Sequence, residues 1–184
     1  MRIVGGRLRG RPLATPATDA IRPTSDRLRE TIFNILAHAY DDPANGARVM
    51  DVFAGTGAMG LEAISRGAAF ALLVDDSAPA RGLIRENIDR LGLGGATRLF
   101  RRDATRLGPA GRNGTFSVLF CDPPYGRDLA PAALTSAVAG GWLDPDALAI
   151  VEERTGAFAT PPGFEELERR QIADTEVTFV RFVG

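Results

Sequence analysis

From Ala47 onward, short apolar runs alternate with segments whose apolar residues recur at helical spacing. Strands are predicted at 47–52, 69–74, 96–101, 118–121 and 147–151, the third having the weakest apolar pattern. Helices are predicted at 60–66, 78–91 and 131–139, with Gly67 and Gly92 stopping the first two. The segment 168–182 reads as two strands, because Val177, Phe179, Val180 and Phe182 favour β structure. Repeated strand–helix units predict an α/β architecture, a mainly parallel sheet with helices on both faces. The final strand pair fits an antiparallel edge. Ahead of these units, residues 2–13 read as a small β-hairpin with a Gly5-Gly6 turn and basic flanks. Residues 14–23 form a polar, proline-containing connector. Thr24 or Ser25 can cap a helix running to about His38, with Ile32, Phe33, Ile35 and Leu36 as its apolar stripe.

Composition narrows the class. A chain of 184 residues is expected to form one domain, residues 1–184, with residues 1–23 as an extension. No apolar run approaches the ~20 residues of a membrane span, and the N-terminus shows no secretory pattern. A cytoplasmic location, no membrane partner and a monomer are therefore expected. Cys121 and His38 are the single cysteine and histidine, which rules out an intrachain disulfide and disfavours a zinc site; no metal is expected. The net charge is −1, yet residues 1–30 carry about +4 and the rest about −5. All 22 basic residues are arginine. The asymmetry points to a basic arm, with Arg7, Arg9 and Arg11 contacting phosphate and Arg22 and Arg29 bracketing a substrate entrance. Arg22 can equally pair with Asp26 or Glu30.

The candidate chemistry lies at strand ends. Asp122-Pro123-Pro124-Tyr125 follows the apolar run Phe116–Cys121, and open α/β sheets bind ligands past such ends. Two prolines fix the backbone and leave carbonyl acceptors, and the tyrosine offers a stacking face. An acceptor-rich turn of this kind suits a planar base with an exocyclic amine. Asp51-Val52-Phe53-Ala54-Gly55-Thr56-Gly57-Ala58-Met59-Gly60 joins the first strand to its helix, and its glycines match G-x-G-x-x-G. Asp75 ends the second strand, where an acid can accept from a ribose hydroxyl. Dinucleotides and S-adenosylmethionine both carry that ribose. Asp51 favours the latter, since a carboxylate beside the loop repels pyrophosphate and accepts from an ammonium. Asp103, after the third strand, can accept from an adenine amine. Cys121 sits in an apolar strand and reads as a small hydrophobe, Asn87 as structural, and Trp142 as packing on the sheet. An adenine-N6 methyltransferase of DNA or RNA and a nicotinamide-dependent oxidoreductase are the competing readings.

Together the glycine loop, Asp75 and Asp122–Tyr125 resemble the S-adenosylmethionine-dependent amino methyltransferases. Arg22-Pro23-Thr24, Arg29-Glu30, Phe33-Asn34-Ile35-Leu36, Leu61-Glu62-Ala63, Ser65-Arg66-Gly67, Asn87, Gly141-Trp142-Leu143 and Val151-Glu152 extend the match. In combination they are similar to the bacterial 16S ribosomal RNA guanine-N2 methyltransferases of the RsmD type, from the basic hairpin to about Glu153. The resemblance implies a seven-stranded, Rossmann-like class I methyltransferase fold. It also implies methyl transfer from S-adenosylmethionine to N2 of one guanine in 16S rRNA, within an assembled or assembling 30S subunit. On this reading Asp122, Pro123, Pro124 and Tyr125 are catalytic. Asp51, Phe53, Ala54, Gly55, Thr56, Gly57, Gly60, Asp75 and Asp103 bind the cofactor. The chain departs from the family pattern at Ser77, at Cys121 and in the C-terminal strands.

Overall fold

The computed structural model describes residues 1–18, 21 and 23–184. After an N-terminal segment the chain runs α1 (Asp26–Ala39), β1 (Arg48–Val52), α2 (Ala58–Ser65), β2 (Phe70–Val74), α3 (Ala78–Leu91) and β3 (Thr97–Phe100). It continues through β4 (Phe116–Cys121), α4 (Leu129–Ala139), β5 (Leu143–Glu153), β6 (Phe164–Ile172) and β7 (Thr175–Phe182). Short 3₁₀ turns at Ala104–Arg106 and Gly111–Asn113 separate β3 from β4. One seven-stranded sheet results, in the order β3-β2-β1-β4-β5-β7-β6. The first five strands are mutually parallel, and β7 is antiparallel to both β5 and β6.

The inner strands β2 and β4 are almost wholly apolar because both faces are covered. Val49, Leu73, Phe120 and Ile150 face a core completed by α1, α2 and α3. Their neighbours Met50, Leu72, Leu119 and Ala149 face a second core with α4 and Trp142. Helix boundaries follow local chemistry. Ser25 and Ser77 cap α1 and α3 by accepting from Leu28 and Ala80 N–H, and Gly92 ends α3 in the left-handed conformation. Pro131 lies inside the first turn of α4, where no N–H is needed, so that helix starts two residues before the expected position.

Several boundaries differ from the sequence expectation. The N-terminal segment is not a strand-paired hairpin. It has a single antiparallel bridge, Arg2 with Pro12, and closes through turn hydrogen bonds such as Gly10 N–H to Ile3 C=O at 2.8 Å. Its backbone is spent on α2 instead. Glu62 accepts from Val4 and Gly5 N–H at 3.0 and 2.9 Å, Ser65 C=O from Arg7 N–H at 2.9 Å, and Ser65 Oγ from Leu8 N–H at 3.0 Å. A Cβ on Gly6 would fall 2.0 Å from Ser65 O, so the approach requires glycine. β5 begins four residues early, across the polar Asp144-Pro145-Asp146 stretch, because Leu143 pairs with Phe116 before the register shifts. β6 also begins early. It is an edge strand whose charged Glu165 and Glu166 hide its pattern.

Candidate active site

A cleft of about 600 Å³ opens past the C-terminal ends of β1 to β4. This is the position a parallel sheet prepares for a ligand. Phe53 and Gly55 come from the loop after β1, Asp75 and Ser77 from the end of β2, Asp103 and Thr105 from the end of β3, and Asp122 to Tyr125 from the end of β4. Val74, Ala80, Ala104 and Leu129 add apolar wall. The fold thus gathers eight predicted residues, Phe53, Gly55, Asp75, Asp103, Asp122, Pro123, Pro124 and Tyr125, around one space.

The glycine loop is shaped from behind. Phe53 has φ 56°, rare for a bulky side chain, and Gly55 and Gly57 follow at 62° and 82°. Gly60 is closely packed: a Cβ there would lie 2.3 Å from Leu73 Cδ2, so the buried leucine would have to shift. Asp51 is 2 % exposed, and its Oδ2 accepts from Gly60 N–H at 3.0 Å. Burial pushes its carboxyl up to about 8, with the nearby Asp75 adding to the rise against the pull of Gly60. Asp51 therefore stands behind the loop and not in the cleft wall, as do Thr56, Gly57 and Gly60. Thr56 C=O accepts from Asn87 Nδ2 at 2.8 Å, and Asn87 Oδ1 accepts from Ala14 N–H at 2.6 Å. Asn87 is structural, as expected, and ties the glycine loop to the N-terminal segment.

Asp75 accepts from Gly55 N–H at 3.0 Å and from Ser77 N–H at 2.9 Å, which joins the ends of β1 and β2. Burial raises its carboxyl despite those two donors. Asp103 accepts from the Thr105 hydroxyl and N–H at 2.7 and 2.9 Å, and these bonds hold its carboxyl below the usual range.

The turn after β4 is held from both sides. Thr24, 98 positions away and 7 % exposed, donates its hydroxyl to Asp122 Oδ2 at 3.0 Å. The Tyr125 hydroxyl donates to Glu152 Oε1 at 3.0 Å and meets Thr175 Oγ1 at 2.8 Å. Thr175 in turn donates to Glu153 C=O at 3.0 Å, and Glu153 Oε1 accepts from Gly126 N–H at 3.2 Å. The phenol is thus spent on the frame, and Tyr125 lines the cleft. Sequence reasoning did not foresee Thr24, Glu152 and Thr175 in these roles; no local pattern links positions so far apart. Cys121 is buried, and burial pushes its thiol well above the ordinary value, the opposite of a reactive thiolate. Trp142 is buried and donates Nε1–H to Gly108 C=O at 2.7 Å.

Of the arginines expected to touch RNA, Arg7 and Arg9 are exposed. Arg11 is exposed too and donates to Arg90 C=O at 2.6 Å, at the end of α3. Arg22 lies outside the described residues. Arg29 overturns its expectation. It is 0 % exposed, donates to Arg2 C=O at 2.9 Å and to Asp26 at 2.5 Å, and lies 3.3 Å from the equally buried Glu62. Glu62 also pairs with Arg66 at 2.8 Å. A guanidinium so enclosed holds the N-terminal segment to α1 and α2 and cannot reach a phosphate.

A glycine loop after β1, an acid ending β2, an acceptor turn after β4 and a reversed β7 together define the class I methyltransferase fold. The ribosomal protein L11 methylase of Lactobacillus delbrueckii shares this fold, with a TM-score of 0.68 at 15 % identity over 90 % of this chain and 83 % of that one. The Escherichia coli protein yhhF is closer, with a TM-score of 0.83 at 30 % identity over 100 % of this chain and 98 % of that one. The family model of conserved hypothetical protein 95 matches residues 1–181. Ribosomal RNA small subunit methyltransferase D of Escherichia coli K12 is 40 % identical over 176 residues, 94 % of this chain and 85 % of that protein. The chain belongs to the ribosomal RNA small subunit methyltransferase D family.

Proposed function

We propose that this protein transfers a methyl group from S-adenosylmethionine to the N2 amine of one guanine in 16S rRNA, in an assembled or assembling small subunit. The observation that carries the reading is the cleft itself, which puts an acceptor turn and a stacking ring opposite the glycine loop and Asp75. The wall suits an adenosine-bearing cation. Asp75, Asp76, Asp103 and Asp122 line it, and a pyrophosphate would be repelled there. Asp75 and Asp103 would take the ribose and adenine of the methyl donor, beside Phe53 and Gly55, with the buried Ala54 holding the loop between them. Asp51 would serve indirectly, by fixing Gly60 and the start of α2, with Thr56 and Gly57 shaping the same loop. When bound, S-adenosylmethionine supplies an electrophilic methyl group.

The guanine amine is a poor nucleophile because its lone pair is delocalised into the ring, so positioning carries much of the work. Asp122 would accept one amine hydrogen while Thr24 occupies its other oxygen, and Pro123 C=O would accept the second. Tyr125 would stack on the base, worth ~1–3 kcal/mol, and the base must be unpaired or flipped to reach it. The proton shed by nitrogen leaves late, to Asp122 or to water. The test is methyl transfer from radiolabelled S-adenosylmethionine to small subunits from cells lacking this protein, followed by nucleoside analysis of the rRNA. N2-methylguanosine is expected, and Asp122→Ala should abolish it. N6-methyladenosine, or wild-type turnover by Asp122→Ala, would sink the reading.

A further inference from the structure

The cleft presents a charge problem to an RNA substrate. Four carboxylates, Asp75, Asp76, Asp103 and Asp122, line the space that a nucleotide and its flanking phosphates must approach. Two arginines share that wall, Arg102 and Arg127. Arg102 is committed: it donates to Leu107 C=O at 3.2 Å and lies 4.9 Å over the Phe100 ring. Arg127 is exposed and makes no ion pair or hydrogen bond among the described residues.

A second cation stands next to it. Gly126 has φ 72°, and its bare face receives the Arg154 guanidinium. Nη1, Cζ and Nη2 of Arg154 lie 3.5, 3.6 and 3.7 Å from where a Cβ would sit, so the group is flat against the turn. Arg154 is exposed, and its side chain, too, has no carboxylate partner among the described residues. The loop beneath both arginines is rigid, since Glu153 Oε1 accepts from Gly126 and Arg154 N–H at 3.2 and 2.7 Å. Arginine donors fixed on a held backbone suit phosphate oxygens.

We infer that Arg127 and Arg154 form a phosphate-binding rim beside Tyr125 that holds the RNA backbone next to the target nucleotide. It is separate in sequence from the basic N-terminal segment, so the RNA is gripped at two places. The cost of bringing a polyanion to four carboxylates is offset at the mouth where the base turns in. This inference rests on the reading of the cleft as an RNA-base site.

The test measures binding of unmethylated small subunits to the full chain over a salt series, for Arg127→Ala, Arg154→Ala and the double variant. Arg112→Ala, an exposed arginine between β3 and β4, serves as a charge-matched control. S-adenosylmethionine affinity is measured in parallel by calorimetry. The double variant should bind subunits about tenfold more weakly, with the log K against log salt slope reduced by roughly 0.7 per arginine. Cofactor affinity should stay unchanged, and Arg112→Ala should match wild type. Lysine at both positions should restore most of the salt slope. An unchanged slope in the double variant, or an equal loss in Arg112→Ala, overturns the rim. Failure of the wild type to methylate subunits would instead strike the functional reading, which the binding slopes do not depend on.

Discussion

Tyr125→Phe separates the two things a tyrosine can do in this cleft. The change removes one oxygen and keeps the ring. In the structure that oxygen donates to Glu152 at 3.0 Å and contacts Thr175 at 2.8 Å, and both partners are 3 % exposed. A hydrogen bond to a buried carboxylate contributes ~1.5–3 kcal/mol and one to a hydroxyl ~1 kcal/mol. The variant should therefore lose about 2 kcal/mol of stability, Thr175 still donating to the frame. Its ring must then be ordered by the substrate itself, at about 1 kcal/mol, so single-turnover methylation should slow ~3- to 10-fold. Tyr125→Ala also loses stacking, a further ~1–3 kcal/mol, and should fall another ~5- to 150-fold. Thr175→Val should cost about 1 kcal/mol less in the Phe background than in wild type, the remaining cost being its own bond to Glu153 C=O. The assay is methyl transfer to small subunits at saturating S-adenosylmethionine, with cofactor affinity as the control. A Phe variant as slow as Ala would mean the hydroxyl acts on the substrate. A Phe variant as fast as wild type, with additive Thr175 effects, would mean the clamp is irrelevant. Either result refutes the reasoning.

Three further outcomes follow from buried groups. Asp51 has its carboxyl raised from 3.8 to about 8 in the folded protein, so the folded state binds more protons than the unfolded one between those values. Its contribution to stability is present at low pH and is lost as pH rises through that window, by at most ~1.4 kcal/mol per unit. Urea unfolding from pH 5 to 8 should show Asp51→Asn gaining on wild type as pH rises, and parallel profiles would contradict the burial argument. Gly60→Ala should cost ~1–3 kcal/mol, because Leu73 must yield, with weaker S-adenosylmethionine binding by titration; an unchanged melting temperature would contradict it. Arg29→Met should destabilise by about 3 kcal/mol, since Glu62 keeps Arg66 but loses a buried partner. The salt dependence of subunit binding should not move, and a reduced slope would return Arg29 to the RNA interface.

Legibility tracked locality. Phe70-Ala71-Leu72-Leu73-Val74 was readable as a strand because burial on both faces demands a continuous apolar run. Gly92 marked the end of α3 because a left-handed glycine stop is a one-residue effect. The glycine loop, Asp75 and the turn after β4 were readable as site parts because parallel strands deliver their C-terminal ends to one edge. What escaped were partners distant in sequence. Nothing near Thr24 reveals Asp122, and nothing near Tyr125 reveals Glu152 and Thr175. Arg29 was misread because an arginine in a basic stretch looks solvent-facing until Glu62 is seen across α2. Asp51 was expected to meet a ligand's ammonium, but Gly60 crosses it so closely that it is buried behind the loop.

The docking of the N-terminal segment has a bearing on the order of chain synthesis. Val4 and Gly5 need Glu62, Ala14 needs Asn87, and Thr24 needs Asp122, separations of 58, 57, 73 and 98 positions. This segment therefore emerges before the residues that hold it, which follow one after another as each later element is made. Until then the Val4 and Gly5 N–H groups of an arginine-rich stretch lack the carboxylate that holds them. Such long-range closure is slow to form. It also means that the loop after β1 and the turn after β4 gain their last supports, through Asn87 and Thr24, only when the N-terminal segment docks on them.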